Sequence, residues 1–294
     1  MTTTSRRVAA GAAPTQEATE PVARRPLSVR TGRRLLVGLL LVAVLLPLVP
    51  LLIWSVAGQW RYPDLLPQQL SLRGVGLLFD PRSDILQGLG TSAGIATAVA
   101  VLACLIGFPA GRAIGLYRFR GRRAVQFLLL APVIVPGLAV TLGIQVFFVR
   151  YHLSDSILGV VLVQLMPTVP YAAIILGAAF ANLDIDYERQ ARALGAGPVR
   201  VLLFVTVPLL RPAIAVAALL TFLISWSEYV LTLLIGGGQV KTLPLLLFAA
   251  IGSSDTTAAA ALAVLVIAPP LLLVVAATRL LSGRSGNGVG FGRL

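Results

Sequence analysis

Charged side chains are scarce in this chain. Only 12% of its 294 residues are Asp, Glu, Lys or Arg, whereas 57% are hydrophobic. A typical soluble domain has about 25% charged residues, so this composition excludes an ordinary soluble enzyme. It equally excludes a disordered or fibrous protein, because those are polar or compositionally repetitive. What remains is a protein whose apolar residues lie in a membrane.

Cysteine, histidine and lysine each occur once, and each scarcity excludes a kind of site. Cys104 alone can form neither a disulfide within the chain nor a metal site with several cysteines. His152 alone excludes histidine-rich metal sites and has no serine in a plausible relation for triad chemistry. Lys241 follows Val240, whereas a phosphate-binding P-loop has glycine directly before its lysine. We therefore expect no metal, no cofactor, no catalytic site and no ATP binding in this chain.

The apolar residues form six stretches that are long enough to cross a membrane. They lie at about residues 35–56, 85–111, 124–149, 156–183, 212–235 and 257–279. A helix needs about 20 residues to cross the hydrocarbon core, and backbone in lipid must satisfy its own hydrogen bonds. The sequence therefore predicts an all-α membrane protein with six transmembrane helices over residues 35–282. Residues 1–34 are predicted to be a disordered basic tail and residues 283–294 a second tail.

The basic residues alternate between the two predicted sides of the membrane. Nineteen of the 24 Lys and Arg residues lie in the two tails and in the second and fourth loops, and five lie in the other loops. Because cytoplasmic segments carry an excess of Lys and Arg, both termini are predicted to be cytoplasmic. The net charge of +13 thus follows the membrane and does not indicate nucleic acid. The first stretch exceeds the 7–15 residues of a signal-peptide core, so we expect it to remain uncleaved.

The predicted cytoplasmic loop between the fourth and fifth stretches has the pattern of an amphipathic helix. Asp184 or Asp186 can accept hydrogen bonds from the free backbone amides at its start. Tyr187, Ala191 and Leu194 recur at helical spacing and form one apolar edge. Such a helix could lie on the membrane surface or insert its apolar edge into a groove of a cytoplasmic partner.

A glycine turn and a second helix are predicted to follow. Gly195 can adopt the left-handed conformation that ends a helix, and Pro198 suits the first turn of a new one. Pro208 and Pro212 are expected to bend or restart the chain where it re-enters the membrane. The loop thus reads as helix, turn and helix.

This loop resembles the signature of binding-protein-dependent ABC importer permeases. That signature is E-A-A, three residues, G, nine residues, I, any residue, and L-P. With Gly195 as its glycine, Val205 and Val207 occupy the isoleucine and leucine positions, Pro208 is the proline, and Ala191 is the second alanine.

The chain departs from the signature at two positions. Arg189 stands at the glutamate position and Gln190 at the first alanine position, while an acid, Glu188, lies one place earlier. The flanking Leu194 and Ala196 match the family. The resemblance implies that the loop at residues 184–200 couples the membrane domain to an ATPase. The residues implied in this coupling are Tyr187, Glu188, Arg189, Gln190, Ala191, Leu194, Gly195 and Ala196.

The likeness extends to other segments, at residues 117–122, 131–137, 225–229 and 242–244. The combination is most similar to permeases for polyamines, ferric iron, thiamine and aminophosphonates. Membership implies a type I importer core in a bacterial inner membrane, paired with a second permease, most simply a paralogue. It also implies a dimer of ABC ATPase subunits and an extracytoplasmic solute-binding protein. ATP hydrolysis would then belong to the separate ATPase, and this chain would not be an enzyme.

Glu228 interrupts the fifth apolar stretch. An ionisable group inside the membrane costs at least about 2.5 kcal/mol on insertion scales. Glu228 is therefore expected either to line the translocation path or its gate, or to lie near the outer interface where it is solvated or paired. Four further polar residues are candidates for the path, and each could equally form a hydrogen bond between helices: Gln145, Gln164, Tyr171 and Ser225.

Small residues in the second stretch form two G-x-x-x-G patterns. These are Gly90 with Gly94 and Gly107 with Gly111. Each pattern could let another helix approach closely, or could arise by chance in a glycine-rich chain.

Three other functions compete with this interpretation. A sugar-type ABC importer permease would share the fold. A secondary transporter would have internal repeats and several embedded charges, whereas this chain has no convincing repeat and one embedded acid. A membrane enzyme or assembly protein would have a clustered catalytic or metal set.

Overall fold

A computed structural model describes residues 27–60, 64, 67–135 and 137–282 of the chain. Of the two predicted tails, residues 1–26 and 283–294 lie outside the described residues. The chain divides after Pro47 into two units. Helix α1 (Leu27–Leu45) belongs to the first unit, and the remaining described elements belong to the second.

The second unit is almost entirely helical. Its elements in chain order are α2 (Leu48–Ser55), β1 (Ala57–Gln59), β2 (Gln69–Leu70), α3 (Arg73–Phe79), α4 (Ile85–Leu116), α5 (Arg122–Ile134), α6 (Gly137–Arg150), α7 (Ile157–Ala181), α8 (Asp186–Ala193), α9 (Pro198–Val201), a π-helical segment (Leu202–Thr206), α10 (Val207–Trp226), α11 (Val230–Gly236), α12 (Leu243–Gly252) and α13 (Thr256–Ser282). The strands β1 and β2 form a small antiparallel hairpin.

Four described helices are long and apolar enough to cross a membrane. They are α4, α7, the continuous run Pro198–Trp226, and α13. The number rises to six if two broken pairs, Leu35–Ala43 with Leu48–Ser55 and Arg122–Ile134 with Ala139–Arg150, each count as one span. The predicted class, an all-α membrane protein with a short helix between the fourth and fifth spans, is confirmed.

The third predicted stretch is two helices, not one. The chain bends by 92° between α5 and the part of α6 at Ala139–Arg150. Val135, the residue after α5, has the extended backbone angles φ −75° and ψ 136°. A proline follows it in the sequence, and the residue before a proline is sterically disfavoured in the helical region. This steric rule accounts for the break.

Among the described helices, α4 and α7 share the most extensive contact. A Cβ placed on Gly111 would lie 2.8 Å from the backbone nitrogen of Gly177, and one on Gly107 would lie 2.7 Å from the Cβ of Ala172. The interface therefore depends on glycine at both positions, which favours the packing interpretation of the second G-x-x-x-G pattern over chance. A Cβ on Gly90 or Gly94 would meet nothing within 4 Å, so the first pattern is not a packing face within the described residues.

Helix α10 packs on both α4 and α7, and its far end is attached to α13. The indole Nε1 of Trp226 donates a hydrogen bond to the carbonyl oxygen of Val266 at 2.9 Å. Trp226 also belongs to a buried cluster with Ile85, Ala96 and Leu262. The core thus continues along the membrane helices from α4 to α13.

The fifth span begins earlier and ends earlier than the sequence predicts. It is continuous from Pro198 to Trp226, and Pro212 lies inside it. The π-helical segment precedes Pro208 and contains Phe204, whose carbonyl the proline ring would approach in a regular helix. A wider turn at this point lets the helix continue through the proline. Residues 227–229 then separate α10 from α11.

The start of α4 lies at the opposite end of the bundle from its last turns, because its 32 residues extend about 48 Å. At the starting end the Nζ of Lys241 bonds the carboxylate of Asp84. Arg73, the first residue of α3, forms an ion pair at 2.7 Å with Asp255, which directly precedes α13. The last turns of α4, in contrast, contact the segment that contains α8.

Candidate functional site

The α8–α9 segment (residues 184–201) forms a helix, a glycine turn and a restarted helix, as the sequence predicts. The backbone N–H of Asp186 donates to Oδ1 of Asp184 at 3.0 Å, which satisfies a free amide at the start of α8. Gly195 ends the helix with φ +86°. Pro198 is at the start of α9.

The turn at Gly195 is held by its own backbone. The N–H of Gly195 donates to the carbonyl of Arg192 at 2.9 Å, and the N–H of Ala196 donates to the carbonyl of Ala191 at 3.0 Å. These two bonds are the pair that defines a Schellman motif. The direction in which the chain leaves α8 is therefore fixed locally.

Most predicted coupling residues point away from the bundle. Leu194 is 89% exposed and Tyr187 is 53% exposed, so two of the three residues of the predicted apolar edge are available to a partner. Arg189 and Gln190 are also exposed, and Arg189 pairs with Asp186 at 2.9 Å. The exposed side thus combines large apolar side chains with basic and polar ones.

Ala191, Gly195 and Ala196 complete the predicted set. Ala191 and Ala196 are half-buried. Gly195 is exposed, and a Cβ placed on it would meet nothing within 4 Å. Seven of the eight predicted coupling residues are therefore exposed or half-buried.

Glu188 is the exception, because it is only 1% exposed. Its Oε2 accepts from Arg112 on α4 at 2.7 Å and from Arg192 at 3.0 Å. Its Oε1 accepts from the hydroxyl of Thr206 at 2.7 Å. Arg112 and Thr206 are not predicted from the sequence, since nothing in a sequence pairs Glu188 with residues that are 76 and 18 positions away.

Glu228 lies beyond the other end of α10, at the break before α11. Its Oε1 accepts the backbone N–H of Leu231 at 2.9 Å, so the carboxylate satisfies a free amide in the first turn of α11. The side chain also faces a cavity of about 340 Å³. The cavity is lined by Pro132, Val140, Thr141, Val163, Met166, Pro167, Glu228, Val230 and Leu231.

Gln164 and Ser225 meet in a buried network beside this cavity. The hydroxyl of Ser225 donates to Oε1 of Gln164, and Nε2 of Gln164 donates to Oγ1 of Thr232 at 3.0 Å. All three residues are buried, and they connect α7, α10 and α11. Thr232 is not among the residues predicted from the sequence.

Gln145 and Tyr171 lie outside this network. Nε2 of Gln145 donates to the carbonyl of Leu234 at 3.4 Å, which connects α6 to α11. Tyr171 is half-buried on α7, after Pro170. Of the five residues predicted for the path, Glu228 is the one that lines the cavity described above.

Within residues 27–60, 64, 67–135 and 137–282, no three His, Cys, Asp or Glu side chains are close enough together to hold a metal ion. The arrangement in these residues offers a rigid exposed segment at one end and a polar, partly hollow region about 30 Å away, the length of the 20 residues of α10. Such an arrangement can bind a partner at one end and respond at the other.

Comparison with known proteins identifies similar membrane components. The family model described as "Binding-protein-dependent transport system inner membrane component" matches residues 103–286. The putrescine transport system permease protein PotI of Escherichia coli is 28% identical over 174 residues, which cover 57% of this chain and 62% of PotI. The molybdenum transport system permease protein ModB of Mycobacterium tuberculosis is 34% identical over 170 residues, which cover 52% and 64%. The chain thus spans less than two thirds of the length of these relatives.

A solved structure has a similar fold. It is a bacterial ABC transporter involved in the import of the acidic polysaccharide alginate. The match has a TM-score of 0.65 at 20% identity and covers 86% of this chain and 96% of that chain. At this level of identity the likeness shows the fold alone.

Proposed function

Because this chain belongs to the family of binding-protein-dependent transport system inner membrane components, we propose that it forms half of the translocation path of an ATP-driven importer. The family is a transport component and is not itself catalytic. ATP hydrolysis would take place on a dimer of separate ABC ATPase subunits. A second permease chain, most simply a paralogue, would form the other half, and an extracytoplasmic solute-binding protein would deliver the solute.

The exposed α8–α9 segment is the observation that carries this proposal. A driven importer needs a surface that transmits force from the ATPase without changing its own shape. The segment has a turn fixed by its own backbone bonds, and Leu194 projects from it with 89% of its surface exposed. Such a side chain suits insertion into a partner's groove.

The distribution of basic residues supports the orientation. Arg189 and Arg192 lie on α8 and Arg200 lies on α9, at the end of the bundle opposite Lys241. By the positive-inside rule the α8–α9 segment and both termini would be cytoplasmic, in contact with the ATPase and bordered by membrane lipid. No nucleic acid is needed to explain the charge.

The translocation path would pass the polar region near the break between α10 and α11. Glu228 would line it, and Gln145, Gln164, Tyr171 and Ser225 would hold or flank its walls. The hydrogen bonds among Gln164, Ser225 and Thr232 would keep α7, α10 and α11 in register as the path opens and closes.

The solute is proposed to be small and polar, of the polyamine, ferric iron, thiamine or aminophosphonate class. The name of PotI, which transports putrescine, supports a polyamine. The name of ModB makes an oxyanion of molybdenum the competing class. Uptake of radiolabelled putrescine and molybdate by membrane vesicles with and without ATP would separate the two, and uptake of neither would exclude both as solutes.

Purification from native membranes tests the partnership. Wild-type chain should retain a vanadate-sensitive ATPase, because the α8–α9 segment would hold it. Leu194→Asp should reduce the retained ATPase at least tenfold, since a charge cannot occupy an apolar groove, a loss of about 1.4 kcal/mol or more in binding. Leu72→Asp is the matched control, because Leu72 is 74% exposed and precedes α3 near the opposite end.

Two outcomes would contradict this proposal. Purification of wild-type chain without any ATPase, in a form that still moves solute, would indicate a secondary transporter. Equal retention by the Leu194→Asp and wild-type chains would remove the α8–α9 segment from the contact.

Replacement of Glu228 tests its place in the path. Glu228→Gln keeps an oxygen that can accept from Leu231, whereas Glu228→Ala loses this bond and should destabilise the protein by about 0.5–2 kcal/mol, as at other helix starts. If the negative charge contacts the solute, Glu228→Gln should lower uptake several-fold without a change in melting temperature. Uptake and solute-stimulated ATP hydrolysis both equal to wild type in Glu228→Gln would take the carboxylate out of the path.

A further inference from the structure

We propose that Glu188 does not contact the ATPase but is the buried junction that joins the α8–α9 segment to the membrane helices, with Arg112 and Thr206 as its positioning partners. This inference rests on the proposed function, since it concerns how motion of that segment reaches the translocation path. It assigns a different task to one of the eight residues implied by the family signature and adds two residues that the signature does not include.

The burial of Glu188 separates it from its neighbours on α8. Tyr187, Arg189 and Gln190 are exposed, whereas Glu188 is 1% exposed. A partner docking on the exposed side could reach the carboxylate only if the bonds to Arg112 and Thr206 were broken. The side chain therefore faces the membrane domain and not a partner.

The three bonds bring separate elements to one carboxylate. Arg112 is near the end of α4, and Thr206 is the last residue of the π-helical segment that leads into α10. The guanidinium of Arg112 also lies over the ring of Phe180 near the end of α7, 5.9 Å from its centroid. The three described helices with the most extensive mutual contacts, α4, α7 and α10, thus converge beside α8.

The chemistry of this junction requires a carboxylate. Arg112 and Arg192 both donate to Oε2, and the Thr206 hydroxyl donates to Oε1, so the acid accepts three bonds and donates none. A glutamine could keep its oxygen toward the two arginines and turn its amide to the Thr206 hydroxyl, which can also accept, but it carries no negative charge. Because a neutral amide holds the guanidinium groups of Arg112 and Arg192 far less tightly than a buried carboxylate does, the segment would lose its fixed position.

This position lets motion pass along α10. The helix begins at the residue after Thr206 and ends at Trp226, two residues before Glu228. If an ATPase displaced α8, Thr206 would move with it. Because α10 is a continuous helix, it would move as a rigid body, and its end near Glu228 would move as well. Without the junction, α8 could move while α4 and α10 stay in place.

The test uses the complex of this chain with its ATPase. It measures a change in the accessibility of the cavity, so the solute need not be known. A thiol probe is placed at Met166→Cys, which lines the cavity, in a Cys104→Ala background. Maleimide labelling of this probe is measured with and without ATP and vanadate. ATPase retention and the hydrolysis rate are measured on the same samples.

Glu188→Gln and Thr206→Val should keep the ATPase bound and hydrolysing within twofold of the probe-only complex. In both, the change in labelling rate that ATP and vanadate cause should fall at least fivefold. Thr206→Ser should restore it, because serine keeps the hydroxyl. Arg73→Gln is the control, since it breaks an exposed ion pair, with Asp255, far from α8 and should leave both measurements unchanged.

Loss of the ATPase from Glu188→Gln would overturn the inference, because it would make Glu188 a partner contact. An undiminished labelling response in that variant would also overturn it. If Glu188→Gln does not fold, Thr206→Val decides, since it keeps the carboxylate and both arginines. A probe-only complex that lacks ATPase or does not respond to ATP would instead refute the proposed function, and the inference with it.

Discussion

A Gly195→Val variant should lose at least nine tenths of its ATP-driven uptake while the membrane domain stays folded. Gly195 has φ +86°, a region in which a β-branched residue is an outlier. A Cβ there would meet nothing within 4 Å, so the cost is entirely in the backbone, about 1–3 kcal/mol. The least costly response is for the turn to change shape, and Leu194 and α9 would then point elsewhere.

Gly195→Asn is the matched control for this variant. Asparagine enters the left-handed region far more readily than valine and is found at helix ends in place of glycine. We therefore expect uptake by Gly195→Asn to stay within about threefold of wild type. Uptake and ATP hydrolysis measured together in proteoliposomes check both variants, and normal coupling in Gly195→Val would show that the shape of the turn is unimportant.

Gly111→Leu should prevent assembly of a stable membrane domain. An added Cβ would lie 2.8 Å from the backbone nitrogen of Gly177 and 2.9 Å from the Cβ of Leu176, so α4 and α7 would have to separate. Overpacking typically costs about 1–3 kcal/mol. Here the obstruction includes backbone, which cannot move aside as a side chain can, so we expect the upper part of that range or more.

Gly94→Leu lies on the same helix and supplies the comparison. A Cβ on Gly94 would meet nothing within 4 Å, so this variant should match wild type in yield and thermal stability. The fraction of monodisperse protein in detergent and its melting temperature measure both variants. Equal melting temperatures for Gly111→Leu and wild type would contradict the close contact between α4 and α7.

Hydropathy predicts most of the fold because lipid imposes a simple rule on each span. The long apolar helices α4, α7 and α13 fall where uninterrupted apolar residues lie in the sequence. The interruptions were harder to predict, because each depends on local bonds. Glu228 lies in an apolar run and so reads as part of a helix, yet its carboxylate caps the start of α11 and separates it from α10. Pro208 reads as a break, yet the wider turn of the π-helical segment carries the helix through it.

In the candidate site, too, the features set by local sequence signals could be predicted and those set by distant contacts could not. The α8–α9 segment follows from helix caps, a glycine and a proline, which are all local signals. The partners of Glu188 could not be predicted, because Arg112 is 76 positions away and reads as one more arginine of a basic loop. The two G-x-x-x-G patterns have the same spacing, and only packing distinguishes the close contact at Gly107 and Gly111 from the open surface at Gly90 and Gly94.

The turn at Gly195 makes the backbone shape of the α8–α9 segment independent of the side chains on its surface. Its two closing bonds run between backbone atoms, so side chains on the outer surface can be exchanged while the contour stays constant. Arg189 and Gln190, which stand where the importer signature has a glutamate and an alanine, would then change how tightly the ATPase binds but not where it binds. The identities of these few outward-facing residues would then determine which of several ATPases in a cell binds this permease.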